Sequence, residues 1–186
     1  PMGPVEKVSY YQIQENPNNT AMTPNWPQSD VPGGTSFMGL LRTRTGLAGF
    51  ALPTEAQWEY ACRAGTTTYY NDGISGASTN QLNNLGWWSG NSGATLHTVG
   101  QLTPNAWGPY DMHGNTWEWC LDWREDPPEG GTDPDGADAA VVAGQRVRRG
   151  AWYGDSAAAC RSAYRSGKTP NTMDAGLGFR LFRTLP

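Results

Sequence analysis

Few residues of this chain could do covalent or redox chemistry: three cysteines, Cys62, Cys120 and Cys160, and two histidines, His97 and His113. A cysteine acts as nucleophile or metal ligand only as the thiolate, so its surroundings decide its role. Three is an odd number, and a disulfide between any two would leave one thiol over, so the redox context stays open. Two histidines in turn-rich stretches are more often hydrogen-bonded structural groups than a metal pair. Arg149, Arg161, Arg165 and Arg180 have the planar fork that holds loop carbonyls and carboxylates.

The elements that must position these groups are short. At 186 residues the chain suits one domain, 1–186, because two cores would each bury too little apolar surface. Gly 24 and Pro 14 against only 16% charged residues predict a loop-rich chain, while nine Trp and eight Tyr argue against disorder. Residues 1–36 read as an irregular lead-in. Residues 35–46 predict a helix, capped by Thr35 or Ser36 and stopped by Gly46, with Phe37, Leu40 and Leu41 at helical spacing. Residues 53–62 predict another, with Pro53 at its start and Thr54 and Gln57 as a capping box. Residues 66–108 read as long ordered loops, which are uncommon in compact domains unless they serve a function or bind an ion. In NTWEWCLDW, residues 115–123, Trp117, Trp119, Leu121 and Trp123 alternate with polar positions, the pattern of a half-buried strand. An acidic excursion spans residues 124–144, and short strands are predicted in residues 146–152 and 177–183. The architecture is α+β. The net charge of -4 offers no general attraction to nucleic acid or anionic lipid. No apolar run is long enough for membrane insertion, and Pro1-Met2-Gly3-Pro4 lacks the features of a signal peptide, although a removed export signal would leave the compartment open.

LPTEAQWEYACRAG (52–65), NAWGPYDMHGNTWEW (105–119), Arg149-Gly150-Ala151-Trp152, Cys160-Arg161-Ser162-Ala163 and Gly178-Phe179-Arg180-Leu181 resemble the formylglycine-generating enzyme (sulfatase-modifying factor) family. The resemblance implies a C-type-lectin-like fold: a small antiparallel sheet, two helices and many irregular loops. It also implies a leading strand and helix, against which this chain reads as truncated or compact at its start. The family's oxidases bind copper through two cysteines, soft ligands for Cu(I). Those positions fall on or near Trp152 and Ala157, so no copper is expected and the oxidase chemistry reads as lost. Related sulfoxide synthases take iron through histidines of a separate helical domain, which has no counterpart here. The resemblance implies calcium at Asp111, Gly114, Thr116 and Glu118, matching a family site of one side-chain oxygen, two main-chain carbonyls and a glutamate; such hard oxygen donors suit this ion. The competing reading is that Asp111 caps a turn and Glu118 pairs with an arginine. Asn84 and Leu85, near a second family site, align too poorly to assign. Trp58, Trp107, Trp117, Trp119 and Trp123 lie in family motifs and read as core. Cys62 and Cys160 lie in motifs that approach each other in the family, which leaves a disulfide between them open.

Between family-like frame residues, segment 151–177 carries an unpatterned set. It resembles the variable region of proteins diversified by retroelements, with ordinary loop divergence as the other reading. Trp152, Tyr153, Gly154, Asp155, Ala157, Tyr164, Ser166, Gly167, Lys168, Asn171, Thr172, Met173 and Asp174 are the candidate ligand-binding residues. Tyr with small polar residues supplies rigid amphipathic contacts beside adaptable ones. The expectation is a non-catalytic recognition protein for a protein or cell-surface ligand, displayed outside the cell, on its surface or on a phage particle. The alternative is a metal-dependent oxidase acting on a thiol.

Overall fold

The computed structural model describes residues 2–14, 34–76, 78–126 and 144–183. Much of the expected lead-in and most of the acidic excursion lie outside the described residues. The elements in chain order are α1 (Tyr10–Gln14), α2 (Phe37–Thr45), β1 (Phe50–Ala51), α3 (Glu55–Arg63), α4 (Thr79–Leu82), β2 (Trp117–Trp123), β3 (Arg146–Arg149), β4 (Ser166–Lys168), β5 (Leu177–Gly178) and β6 (Phe182–Arg183).

The two predicted helices begin where their caps stand. Ser36 accepts from the Gly39 N–H at the start of α2, and Gly46 ends it in the left-handed region. Thr54 and Gln57 exchange both capping-box bonds at the start of α3. Two short helices, α1 and α4, join them.

Strand β2 is central in a four-stranded sheet of order β4-β3-β2-β5, with β1 and β6 paired apart from it. The β2–β3 and β3–β4 pairs are antiparallel, as expected, whereas β5 runs parallel to β2. Strands β4 and β5 therefore run the same way, so residues 169–176 cross the sheet instead of turning back as a hairpin. The strand predicted over 146–152 stops at Arg149 because Gly150 and Ala151 both take left-handed backbone. That predicted over 177–183 divides into β5 and β6.

The alternation in β2 is real, but the strand is not half-buried: all seven residues are buried. Its tryptophan side, with Leu121, packs against Tyr10, Ile13, Met38 and Leu177. On the other side Cys120 joins Trp58, Cys62, Met112 and Val147 beneath α3. The polar residues of that side are tolerated because each has a partner: Asp122 accepts the Glu55 N–H at 2.6 Å, and Glu118 accepts the Trp58 indole N–H at 2.6 Å. Trp58, Trp117, Trp119 and Trp123 are core as expected, but Trp107 is not, being 49% exposed. It lies against Tyr60 on the outer side of α3, centroids 4.8 Å apart. A tight loop closed by Asn105, whose side chain donates to Ala61 and Cys62 at the end of α3, holds it there.

Candidate functional site

Strand β3 separates two arginines by its pleat. Val147 and Arg149 face α3, while Arg148 lies on the tryptophan side, where its guanidinium stacks 4.4 Å from the centroid of Trp117. Residues opposite each other in a ladder share a face, which places Ser166 beside Arg148 and Lys168 beside Arg146. Arg148 Nε donates to Ser166 Oγ at 3.3 Å. The Tyr164 ring tilts against Trp117 at 6.1 Å, and Lys168 pairs with Asp174 at 2.9 Å. Burial pulls the Arg148 pKa down, and the charges of Asp155 and Asp174, with Tyr164, only partly offset this.

The structure thus brings Tyr164, Ser166, Lys168 and Asp174 around Arg148. Neither Arg148 nor Trp117 was among the expected ligand-binding residues; the alternation of RVRR was the signal that could have found Arg148. Asn171, Thr172 and Met173 continue on the crossing loop, with Met173 well exposed and the Thr169 and Thr172 hydroxyls 2.8 Å apart. Trp152 and Tyr153 lie side by side, 4.5 Å between centroids. Gly154 and Asp155 serve to hold Trp152. A Cβ on Gly154 or Gly176 would come within 3 Å of its indole, and Asp155 Oδ2 accepts the Trp152 N–H at 3.2 Å. Two residues lie away from the cluster. Gly167 faces Arg124 and Gln145 on the opposite side of β4, as strand alternation requires, and Ala157 packs against the core, its carbonyl accepting from the Tyr70 hydroxyl.

Beneath this face the charged groups are held by partners within the frame, although Arg149 Nε is buried without an acceptor. Arg149 is fully buried, donates to the Ser162 and Tyr164 carbonyls at 2.7 and 2.8 Å, and pairs with Glu59 and Glu55. Arg165 grips both oxygens of Glu55 at 2.6 Å, and Arg161 donates to the Ala158 carbonyl. The arginines expected to hold carbonyls and carboxylates do so, and they tie the loop bearing Tyr164 to helix α3.

Asp111, Thr116 and Glu118 line one cavity of about 330 Å³, with Tyr110, Phe179 and Arg180 on its wall. Gly114 is adjacent in the turn. Its φ is +85°, and a Cβ there would lie 2.0 Å from the Trp87 carbonyl oxygen, so only glycine fits. Asp111 Oδ2 accepts the Gly100 N–H at 2.7 Å, while Oδ1 is buried without a partner and burial raises the pKa of the carboxyl. Glu118 is held through both oxygens by Arg180, whose Nη2 also reaches the Tyr110 carbonyl. Among the described residues no three Cys, His, Asp or Glu side chains are placed to hold a metal, so a cation here would need main-chain oxygens. The orphaned Oδ1, with the Glu118 carboxylate on the same cavity, fits a hard cation; the guanidinium on Glu118 competes with it.

The thiols are inaccessible. All three cysteines are free and buried. Burial pushes Cys62 and Cys160 up to about 12, and Cys120 well above its ordinary value. The segments carrying Cys62 and Cys160 do approach, but His113 joins them in place of a disulfide. Its Nδ1 lies 2.7 Å from the Cys160 carbonyl, its Nε2 accepts the Asn71 N–H, and Cys62 Sγ is 3.9 Å from Nε2. Burial lowers the His113 pKa to about 4, against the upward pull of its bond to the Cys160 carbonyl. His97 stacks on Trp87 at 3.7 Å, with Nε2 on the Ser92 carbonyl. Trp152 and Ala157, at the aligned copper positions, offer no sulfur.

Comparison with known proteins agrees with this frame. The sulfatase-modifying factor enzyme 1-like domain matches residues 1–185. The formylglycine-generating enzyme of Streptomyces coelicolor is 35% identical over 154 residues, covering 72% of this chain and 46% of that protein. The enzyme of Bos taurus is 31% identical, covering 72% and 38%. The chain thus matches less than half the length of these curated relatives. Among solved structures, Treponema denticola variable protein 1 is similar with a TM-score of 0.64 and 38% identity, covering 72% of this chain and 47% of that one. PvdO from Pseudomonas aeruginosa has a TM-score of 0.73 and 26% identity, covering 100% and 63%. With its capping box, its tryptophan-faced strand and its arginine-bound loops in the family's order, the chain belongs to the sulfatase-modifying factor enzyme 1-like domain family, in the C-type-lectin-like fold of the formylglycine-generating enzymes.

Proposed function

We propose that this chain is a non-catalytic recognition domain that binds a protein or cell-surface ligand through the face around Arg148, as a variable protein diversified by a retroelement. One observation carries the reading: Tyr164, Ser166, Lys168 and Asp174 gather around Arg148 above a frame tied by arginines, in a chain similar to a variable protein. A frame whose loops are tied down by arginine–carboxylate and arginine–carbonyl contacts keeps the ordering cost of binding low. Tyr164 and Met173 would supply apolar contact, and Lys168, Asn171 and Asp174 polar specificity. Calcium belongs to the proposal as a structural ion on Asp111 and Glu118 with the Gly114 and Thr116 carbonyls, where it would tie loops together. The proposed setting is outside the cell or on a phage particle.

The relatives named formylglycine-generating enzyme favour a second reading, a metal-dependent oxidase of a thiol substrate. Against it stand the residues at the aligned copper positions and the protonated state of Cys160 at neutral pH. Panning a displayed random-peptide library on the chain tests the proposal. Enriched peptides should lose about tenfold or more in affinity on Tyr164→Ala with Met173→Ala, and nothing on Tyr60→Ala. Peptides indifferent to the face, or oxygen uptake with Cu(I) and a cysteine peptide that is lost on Cys160→Ser, would overturn it.

A further inference from the structure

Arg148 differs from three other arginines of the frame. Arg149, Arg165 and Arg180 each meet a carboxylate directly. Arg148 is half-buried over Trp117, with one long bond from Nε to Ser166 Oγ. Among the described residues no acceptor lies within hydrogen-bonding distance of its Nη1 or Nη2, and no carboxylate lies within ion-pair distance. The two acids that feel its charge are engaged elsewhere: Asp174 with Lys168, and Asp155 with the Trp152 N–H. A guanidinium stacked on a ring keeps its N–H edge open, and a partly desolvated fork without an acceptor is costly until one arrives.

We propose that Arg148 is the anchor for a carboxylate of the protein ligand, taken in a two-point contact by Nη1 and Nη2 at the centre of the recognition face. This rests on the recognition reading above and names the group that the face is built to find. The geometry selects a carboxylate over a phosphate. One uncommitted fork matches one planar, singly charged acceptor, whereas a dianion would meet Asp155 and Asp174 with Lys168 already spent on the latter. Tyr164, tilted beside Trp117, offers an aromatic wall for whatever carries the carboxylate.

The probe is benzoate, with benzamide and inorganic phosphate as controls, read on the side-chain Nε–Hε resonance of Arg148 in ¹⁵N-labelled protein. Benzoate should give a saturable shift with a Kd on the order of millimolar. Arg148→Gln should weaken benzoate binding, read on neighbouring backbone amides, by about tenfold or more, and Arg148→Lys, which keeps the charge and loses the fork, by a smaller factor. The remaining amide spectrum reports that both variants fold. Equal binding in Arg148→Gln, a benzamide affinity matching that of benzoate, or tighter binding of phosphate would overturn the inference. Peptides selected through Tyr164 and Met173 that carry no acidic group and ignore Arg148→Gln would sink the anchor and leave recognition standing. Benzoate binding at Arg148 with no peptide ever dependent on the face would do the reverse.

Discussion

Arg148 and Arg149 are neighbours in the chain and opposites in the fold. Arg149, on the α3 side of the sheet, is fully buried and spends its Nη1 and Nη2 on two carbonyls and two glutamates. Arg148, on the other side, stacks on Trp117 and leaves Nη1 and Nη2 without an acceptor among the described residues. The difference separates frame from site. On one side a charge is consumed to hold loops, and on the other the same residue type is held in place by loops and left to be used.

The sharpest break of that comparison is truncation of each arginine. Arg149→Ala empties a fully buried site and leaves the Ser162 carbonyl unpaired, while Glu59 keeps Arg63 and Glu55 keeps Arg165; it should cost about 3 kcal/mol in denaturant unfolding, whereas Arg148→Ala should cost under about 1 kcal/mol. Similar losses would mean that both arginines belong to the frame.

The frame should also carry the pH dependence. His113 titrates about 4 in the fold against 6.5 unfolded, so between those values the unfolded chain binds the extra proton and stability falls as the solution is acidified. The full loss by pH 4 is about 3 kcal/mol. Asp122, raised from 3.8 to about 7 by burial, has the opposite sign. There the folded state keeps the proton, and stability falls as pH rises from about 4 towards 7. The two slopes oppose each other in the shared window. Asp122→Asn should therefore expose the acid-side loss due to His113, measurable as unfolding free energy across pH 4–7. A flat profile in that variant would remove His113 from the account.

Next in size is the Asp111 cavity. If calcium binds there, saturating ion at about a hundred times its Kd should add about 2.7 kcal/mol and raise Tm, and Asp111→Ala should abolish the increment. No change with a chelator would leave Arg180 as the sole cation on Glu118. The smallest stability effects belong to the face. Tyr164→Ala and Lys168→Ala should each shift unfolding by about 0.5 kcal/mol or less while removing selected ligands. A large loss of stability would make the face part of the frame.

Much of the frame was legible from residue order. Ser36, Thr54 with Gln57, and Gly46 mark helix ends through bonds made within a few residues, so local chemistry decides them. The odd positions of β2 likewise announced an apolar side through their spacing alone. The burial of Glu118 and Asp122 was not legible, because it depends on Trp58, Arg180 and the Glu55 N–H arriving from distant parts of the chain. The exposure of Trp107 was hidden for the same reason: a tryptophan in a family motif reads as core until the Asn105 loop is seen to set it outside α3. Within the candidate face, the resemblance to a variable region, supported by composition, pointed to segment 151–177, but neither has a direction. Only the pairing of β4 with β3 turned Gly167 away and set Ser166 beside Arg148. Sequence by itself determined the family, the caps and the alternating strand, which rest on contacts between near neighbours. Tertiary structure alone decided which of two adjacent arginines is spent and which is left open, because the pleat sends successive side chains to opposite sides and only the packed elements make those sides different.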